Sequence, residues 1–162
     1  ILGPMTNPAG VRRLLVGVFD NGLCRPVAEV LARLGAEHVM VVHSADGLDE
    51  ISCGSATDVA ELRDGQIRRF AIRPEDFGIR RSPLDALKVE DAAQSLAIIR
   101  GVLEDQSGPA RDIVMLNAGA AIYTAGVVDS LQGGIEKADA VIASGEARNR
   151  LDRLVILTQS FT

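Results

Sequence analysis

The chain has 162 residues, of which 47% are hydrophobic and 24% are charged, a composition typical of one globular domain. A formal net charge of −5 argues against a nucleic-acid-binding protein. The apolar runs stay well short of the roughly 20 residues that a membrane-spanning helix needs, so a membrane protein is also disfavoured.

The first half of the sequence predicts a strand, a helix and a second strand. Residues 12–19 are an apolar run typical of a buried strand, and residues 23–34 carry apolar side chains at helical spacing before Gly35. Residues 37–43 form a second apolar run. Because the connections are short, the three elements form a βαβ unit, in which the strands are parallel and the helix covers one face.

The middle of the sequence predicts three further short strands. Residues 50–53 are compatible with one of them. Residues 56–62 and 67–72 are compatible with a pair, because the Asp64-Gly65 dipeptide between them is a strong signal for a two-residue hairpin turn.

The second half of the sequence is predicted to be mostly helical. Residues 74–77 fit one helical turn, and residues 79–88 are predicted to be a loop. Apolar spacing then predicts helices over residues 90–103, 110–125, 128–143 and 145–157. The predicted fold class is α/β, a mixed and largely parallel sheet with flanking helices, in a single domain over residues 1–162.

Three carboxylates follow the second predicted strand within five residues: Asp46, Asp49 and Glu50. Open α/β sheets bind ligands at the carboxyl ends of their strands. Carboxylates this close together repel one another, so their grouping favours a hard cation such as Mg²⁺, which prefers carboxylate oxygens and also binds substrate phosphates. The alternative is an ordinary acidic turn in which Gly47 supplies an unusual backbone angle.

The histidines and cysteines have less specific interpretations. His43, at the end of the second strand, is either a general base or a hydrogen-bonded structural residue, and His38 is predicted to lie on the surface. Cys24 and Cys53 are predicted to be buried free thiols of a reducing cytoplasm.

Small residues and arginines complete the candidates. Gly133-Gly134 indicates a tight packing point, and the small-residue run 116–121 indicates close packing of a helix on a strand. The sequence contains no nucleophile elbow, GxGxxG loop or Walker loop. One group of arginines either forms a solvated rim or steers an anionic substrate: Arg63, Arg68, Arg69, Arg73, Arg80 and Arg81.

Several phrases together resemble one family, the anthranilate phosphoribosyltransferases, in the same order and at similar spacing. These phrases are "LGPMTNPAG" at 2–10, "VVHSADGLDEIS" at 41–52, "PEDFGI" at 74–79, "DIVMLNAGAAIYTAG" at 112–126 and "SLQGGIEKADAVIASGEA" at 130–147. The resemblance covers essentially the whole chain. "DGLDE" is its most specific part, because the pyrimidine nucleoside phosphorylases, which share the architecture, have a different phrase there.

The resemblance implies the large α/β domain of the nucleoside phosphorylase and phosphoribosyltransferase type, in a cytoplasmic enzyme of tryptophan biosynthesis. In that family the amine of anthranilate attacks C1 of phosphoribosyl pyrophosphate and releases pyrophosphate, so the protein need supply no catalytic nucleophile. The acidic pair of "DGLDE" maps the family's metal ligands for Mg²⁺ onto Asp49 and Glu50. The "LGP" phrase maps anthranilate binding onto Gly3 and Pro4.

The sequence also departs from the family. It opens at Ile1 inside a matching phrase, without the family's phosphate loop, basic substrate loop or amino-terminal helical domain, through which the parent enzyme is expected to form a homodimer. We therefore expect a fragment that is inactive alone. Lys88-Val89 and Ser95-Leu96 replace a frequent Gly-Gly and Asn-Ala. Two alternatives stay open: a pyrimidine nucleoside phosphorylase-like enzyme, and a non-catalytic module that complements a separate amino-terminal half.

Overall fold

A mixed sheet lies at the centre of the computed structural model, which describes residues 2–161. Its strands, in spatial as well as chain order, are β1 (Arg13–Gly17), β2 (His38–Ser44), β3 (Thr57–Arg63) and β4 (Gln66–Ile72). The β1–β2 pair is parallel, whereas β2–β3 and β3–β4 are antiparallel. The mixed sheet and the parallel βαβ pair are confirmed, but the parallel part of the described sheet is that one pair.

The helices flank this sheet and dominate the second half of the chain. They are α1 (Leu2–Met5), α2 (Cys24–Arg33), α3 (Ala92–Leu103), α4 (Pro109–Thr124), α5 (Leu131–Ala143) and α6 (Glu146–Gln159). Short 3₁₀ turns occur at Asn21–Leu23, Pro74–Phe77 and Leu84–Leu87. The five longer helices are thus confirmed close to their predicted boundaries, and the segment predicted as a loop at 79–88 contains one 3₁₀ turn.

Strand β2 is buried on both faces, which explains its nearly continuous apolar sequence. Side chains of successive residues point to opposite faces of a strand. Val39 and Val41 accordingly pack in one cluster with α2, whereas Met40 and Val42 belong to a second cluster with α4 and α5. The predicted covering of the βαβ unit by its helix is therefore confirmed.

Helices α4 and α5 pack closely through glycine. A Cβ added at Gly134 would overlap the carbonyl of Gly119, and one added at Gly119 would lie 2.6 Å from Cα of Ile135. The tight packing point predicted at Gly133-Gly134 is confirmed at its second glycine. The run 116–121 packs in two directions, because its buried Leu116 belongs to the cluster with the sheet while Gly119 faces α5.

The β3–β4 connection is the predicted two-residue hairpin turn. Asp64 and Gly65 both have positive φ angles, 52° and 72°, which is the requirement of a type I′ turn. The strand predicted at residues 50–53 is wrong. Ile51 and Cys53 are buried as a strand would require, but the backbone of Ile51 bonds to the side chain of Asn117 and not to a neighbouring strand.

The last helix, α6, contributes little to the core. No described residue of α6 is buried, and Leu154, Ile156 and Leu157 are each more than half exposed. Despite these apolar side chains, no helix within residues 2–161 has the length and apolar character needed to cross a membrane.

Candidate functional site

The candidate site lies on the segment between β2 and β3, residues 45–56, hereafter the acidic loop. This loop starts at the carboxyl end of β2, beside the carboxyl end of the parallel β1. The backbone carbonyl of Asp49 approaches Gly17, the last residue of β1, so closely that a Cβ at Gly17 would overlap it. The absence of a side chain at Gly17 therefore allows the loop to lie across the end of β1, where α/β sheets bind ligands.

The two carboxylates predicted to hold a metal are exposed and unpaired. Asp49 and Glu50 are adjacent in the acidic loop, and both are exposed to solvent. Within residues 2–161 neither carboxylate forms an ion pair or a hydrogen bond. Both side chains thus remain available to a ligand, in contrast to most other acidic residues near the sheet.

The backbone on either side of this acidic pair is held in place. The carbonyl of Leu48 accepts a hydrogen bond from the N–H of Ser44 at 2.9 Å. The N–H of Ile51 donates to Oδ1 of Asn117 at 2.9 Å, and Nδ2 of Asn117 donates to the carbonyl of Ile51 at 2.8 Å. The acidic pair therefore projects from a segment that is fixed at both ends.

Sequence reasoning missed Asn117. The sequence presents it only as one member of a small-residue run in a helix that packs on the sheet. The signal that could have revealed it is chemical: a primary amide on a buried helix face needs partners, because an unpaired buried amide is costly. Its partner, Ile51, lies 66 residues away in sequence, so no local pattern identifies the pair.

Asp46 does not join the acidic pair, and the expected gathering of three carboxylates is wrong. Oδ2 of Asp46 accepts a hydrogen bond from Oγ of Ser52 at 2.6 Å. This carboxylate therefore belongs to a cluster with Ser44, Ser52 and Ser55, hereafter the serine cluster. Within residues 2–161 no three His, Cys, Asp or Glu side chains converge on a common metal position. Within the described part of the chain, the acidic loop therefore offers a cation the two adjacent carboxylates of Asp49 and Glu50.

The serine cluster also changes the acidity of Asp46. Burial is the largest single influence and raises the pKa of Asp46, but hydrogen bonds from Ser52, Ser44, Ser55 and the N–H of Leu48 oppose it. Together these bonds hold the pKa of Asp46 below its ordinary value, because each one stabilises the charged form. Asp46 is therefore ionised at neutral pH, and its carboxylate holds the serines of the loop through hydrogen bonds.

His43 has the structural role that was one of its two interpretations. Its Nδ1 lies 2.8 Å from the carbonyl oxygen of Val18. Because a carbonyl can only accept, Nδ1 is the donor. The bond ties the end of β2 to the residue that follows β1.

The prediction that His38 lies on the surface is wrong. His38 is 5% exposed, and its Nε2 lies 2.9 Å from Oε1 of Glu61. Tyr123 donates to the same Glu61 oxygen at 2.7 Å and accepts a hydrogen bond from Arg63, also at 2.7 Å. These four residues, hereafter the His38 network, occupy the amino end of β2. The carboxyl end of α4 covers that strand end, which the local sequence around His38 does not show.

The cysteines and the arginine group match their structural interpretations. Cys24 and Cys53 are both free and buried, and burial raises the pKa of each thiol. The six arginines are all exposed, which confirms that they are solvated, while a shared rim and the steering of an anionic substrate stay predictions. One of them, Arg81, pairs with Glu75 at 3.0 Å.

The residues assigned to anthranilate lie in α1. Gly3 is exposed, with no atom within 4 Å of the place where a Cβ would stand, and Pro4 is partly buried. The space beside Gly3 is therefore open within the described residues. Its use by a substrate stays a prediction.

Comparison with known proteins identifies the family of the chain. The family model described as "Glycosyl transferase family, a/b domain" matches residues 1–148. The chain is 58% identical over 160 residues to the anthranilate phosphoribosyltransferase of Thioalkalivibrio sulfidiphilus, and 54% identical over 165 residues to that of Stutzerimonas stutzeri. Both alignments cover 99% of this chain but 47% of the relative, so the chain spans about half the length of the curated relatives it matches.

Solved structures give the same result. The anthranilate phosphoribosyltransferase of Thermus thermophilus superposes with a TM-score of 0.86 at 42% identity, over 96% of this chain and 46% of that one. The enzyme of Saccharomyces cerevisiae, solved in complex with PRPP and Mg, shares the fold with a TM-score of 0.86 at 24% identity, over 99% of this chain and 46% of that one. The chain belongs to the glycosyl transferase family, as its a/b domain.

Proposed function

We propose that this chain is the metal-carrying part of an anthranilate phosphoribosyltransferase, which transfers phosphoribose from phosphoribosyl pyrophosphate to the amine of anthranilate. The products are phosphoribosyl-anthranilate and pyrophosphate. The proposal is supported by relatives of that name that are more than half identical along nearly all of this chain. The observation that carries it is the unpaired pair Asp49-Glu50 on a fixed loop at the ligand-binding edge of the sheet.

The donor set fits Mg²⁺. This ion keeps several waters and is commonly held by one or two carboxylates together with substrate phosphates. Asp49 and Glu50 supply two carboxylates, and the exclusion of Asp46 leaves positions for water and phosphate oxygens. When bound, Mg²⁺ supplies Lewis-acid stabilisation of the charge that develops on the departing pyrophosphate.

The remaining steps need little covalent chemistry from the protein. Anthranilate provides the nucleophilic amine, so the chain is assigned no catalytic residue. Gly3 and Pro4 are proposed to border the anthranilate site, and the open space beside Gly3 is compatible with a flat aromatic acid. The chain's contribution to catalysis is therefore binding and orientation.

The complete enzyme needs more than this chain. Residues 1–162 are proposed to form one α/β domain. The phosphate loop, the basic substrate loop and the helical domain with the homodimer contacts are assigned to a segment outside it, since the curated relatives are about twice as long. The isolated domain is accordingly expected to be inactive. The full-length protein is proposed to be cytoplasmic, with neither nucleic acid nor membrane as a partner.

The test is turnover of anthranilate and phosphoribosyl pyrophosphate by the full-length protein during a magnesium titration. We expect the double substitution Asp49→Ala and Glu50→Ala to reduce turnover at least about 100-fold, since charge stabilisation of this kind contributes roughly 3 kcal/mol. The far-ultraviolet circular dichroism spectrum should stay unchanged. Asp152→Ala, which removes an exposed carboxylate of α6, is the matched control and should have no effect.

Two results would contradict the proposal. One is a turnover rate that does not depend on magnesium. The other is phosphate-dependent cleavage of a pyrimidine nucleoside without transfer to anthranilate, which would favour a nucleoside phosphorylase-like enzyme. The non-catalytic complementing module would be favoured if residues 1–162 exist as a separate chain and activity appears only after they are mixed with a separately produced amino-terminal half.

A further inference from the structure

We infer that Asn117 is a positioning residue for the metal-binding pair, which it holds in place through the backbone of Ile51. This inference rests on the proposed function, because it concerns how the same acidic loop presents Asp49 and Glu50. Within residues 2–161 Asn117 forms no hydrogen bond with either carboxylate. It acts on the residue that directly follows Glu50 in the chain.

Asn117 satisfies both backbone groups of a single residue. Its Oδ1 accepts from the N–H of Ile51 at 2.9 Å, and its Nδ2 donates to the carbonyl of Ile51 at 2.8 Å. A neighbouring strand makes the same two bonds in an antiparallel ladder. The amide therefore replaces a strand partner at a position where the sheet has none, which explains why residues 50–53 have a strand-like sequence but no strand pairing.

The amide is itself held rigidly. Nδ2 of Asn117 also donates to the carbonyl of Ile113, one turn earlier in α4, at 2.9 Å. The next residues toward the core on this helix, Leu116 and Ala120, are 1% and 0% exposed. Because α4 is packed between the sheet and α5, the position of Ile51 is fixed by the core of the domain and not by the loop itself.

The chain on the other side of the acidic pair is also held. The hydrogen bonds of Asn117 therefore complete the fixing of this segment at both ends. Leu48 bonds to Ser44, and the carbonyl of Asp49 rests against Gly17. The carboxylates of Asp49 and Glu50 lie between these contacts and Ile51, and within residues 2–161 neither has a hydrogen-bond or ion-pair partner. Binding a cation then requires less ordering of the chain, and a site ordered in advance binds more tightly than a mobile one.

The test compares variants of Asn117 in the full-length protein. Asn117→Asp keeps an acceptor for the N–H of Ile51 but replaces the donor Nδ2 with oxygen, which opposes the carbonyls of Ile51 and Ile113. Asn117→Ser is the second variant, because its short side chain leaves room for a water molecule if the aspartate prevents folding. Thr124→Val is the matched control: it removes a buried hydrogen bond at the other end of α4, from Thr124 to Ala120.

The first measurement is the magnesium dependence of turnover. We expect each Asn117 variant to raise the Mg²⁺ concentration for half-maximal turnover by about tenfold, while turnover at saturating Mg²⁺ stays within about twofold of the unmodified protein. Such a split indicates an ordering cost that excess metal can offset. Thr124→Val should lower the melting temperature without changing the magnesium requirement.

The second measurement does not need activity. Amide hydrogen exchange of residues 48–53 in the metal-free protein should become at least about tenfold faster in the Asn117 variants, with exchange in β2 unchanged. A lowered melting temperature with unchanged magnesium requirement and unchanged loop exchange would overturn the inference and leave Asn117 a purely structural residue. Loop exchange that accelerates in a protein whose turnover ignores magnesium would contradict the proposed function itself.

Discussion

The two ends of strand β2 use carboxylates in opposite ways. At the amino end, Glu61 of the His38 network has a side chain 12% exposed and accepts hydrogen bonds from Tyr123 and His38. At the carboxyl end, Asp49 and Glu50 are exposed and make no such bonds within residues 2–161. The carboxylate of Glu61 therefore stabilises the fold, whereas the carboxylates of Asp49 and Glu50 remain free for a ligand.

One helix produces both results. Tyr123 and Asn117 both lie on helix α4. Tyr123 contacts the amino end of β2, and Asn117 contacts the acidic loop. Tyr123 bonds directly to a carboxylate, whereas Asn117 bonds to backbone and leaves the neighbouring carboxylates alone. A polar side chain that pairs with the charge therefore stabilises the fold, and one that pairs with the adjacent backbone preserves the charge for binding.

Among the substitutions that test this contrast, Gly17→Ala is expected to have the largest effect. The new Cβ would overlap the carbonyl of Asp49, so the acidic loop must move, and overpacking of this kind costs roughly 1–3 kcal/mol of stability. We expect turnover to fall at least about tenfold together with a higher magnesium requirement. Gly134→Ala overlaps the carbonyl of Gly119 instead, at the contact between α4 and α5, and should cost similar stability without changing the magnesium requirement. Equal magnesium requirements in the two variants would break the comparison.

A substitution at the amino end of β2 should lower stability without changing the magnesium requirement. Tyr123→Phe deprives Glu61 of a donor and Arg63 of an acceptor, and a lost bond to a charged group costs about 1.5–3 kcal/mol. Urea denaturation should show this loss, while the magnesium requirement of turnover stays at the unmodified value. A shift in magnesium requirement would show that the two ends of β2 are coupled.

Asp46 should give a smaller, pH-dependent effect. Its pKa is lower in the folded protein than in the unfolded chain, so its contribution to stability is present above the ordinary aspartate pKa of about 3.9. That contribution disappears as the pH falls through the lower, folded pKa. We expect Asp46→Asn to be less stable than the unmodified protein near neutral pH, with the difference shrinking in acid. Denaturation midpoints at several pH values measure it, and a difference that grows in acid would reverse the assigned sign.

The smallest effect concerns the two thiols. Burial is the largest cause of the raised pKa of Cys24 and Cys53, so both should react slowly with a disulfide reagent at neutral pH. Cys53 lies in the acidic loop and Cys24 in α2. Asn117→Asp should therefore accelerate the reaction of Cys53 alone, as followed by mass spectrometry of labelled peptides. Equal acceleration of both thiols would indicate general loosening of the domain.

Most of the fold was accessible from the sequence because its signals are local. Apolar spacing placed α2 and the four later helices within a few residues, and Asp64-Gly65 identified the hairpin. The predicted strand at 50–53 failed because the apolar character and the burial of Ile51 and Cys53 are properties of the side chains. Strand formation also depends on a backbone partner, and here that partner is an amide on a distant helix.

The candidate site was only partly accessible. Asp49 and Glu50 were identified from the crowding of carboxylates and from the resemblance of the "DGLDE" phrase, and their role as metal ligands stays a prediction. The crowding argument also included Asp46, which the serine cluster takes instead. Local sequence gives the number of charges in a loop but not the direction in which each one points.

The sequence by itself determined the order of the five longer helices and the four observed strands, the position of the acidic loop at a strand end and the family. Periodicity, turn chemistry and short phrases all act over a few residues, which is why they could be read locally. Only the tertiary structure decided which polar groups are satisfied. Asn117 meets Ile51 across 66 residues and Tyr123 meets Glu61 across 62, through the packing of α4 on the sheet. Hydrogen bonds between distant residues follow from that packing, and the same packing separates a carboxylate that stabilises the fold from a pair that can bind a metal.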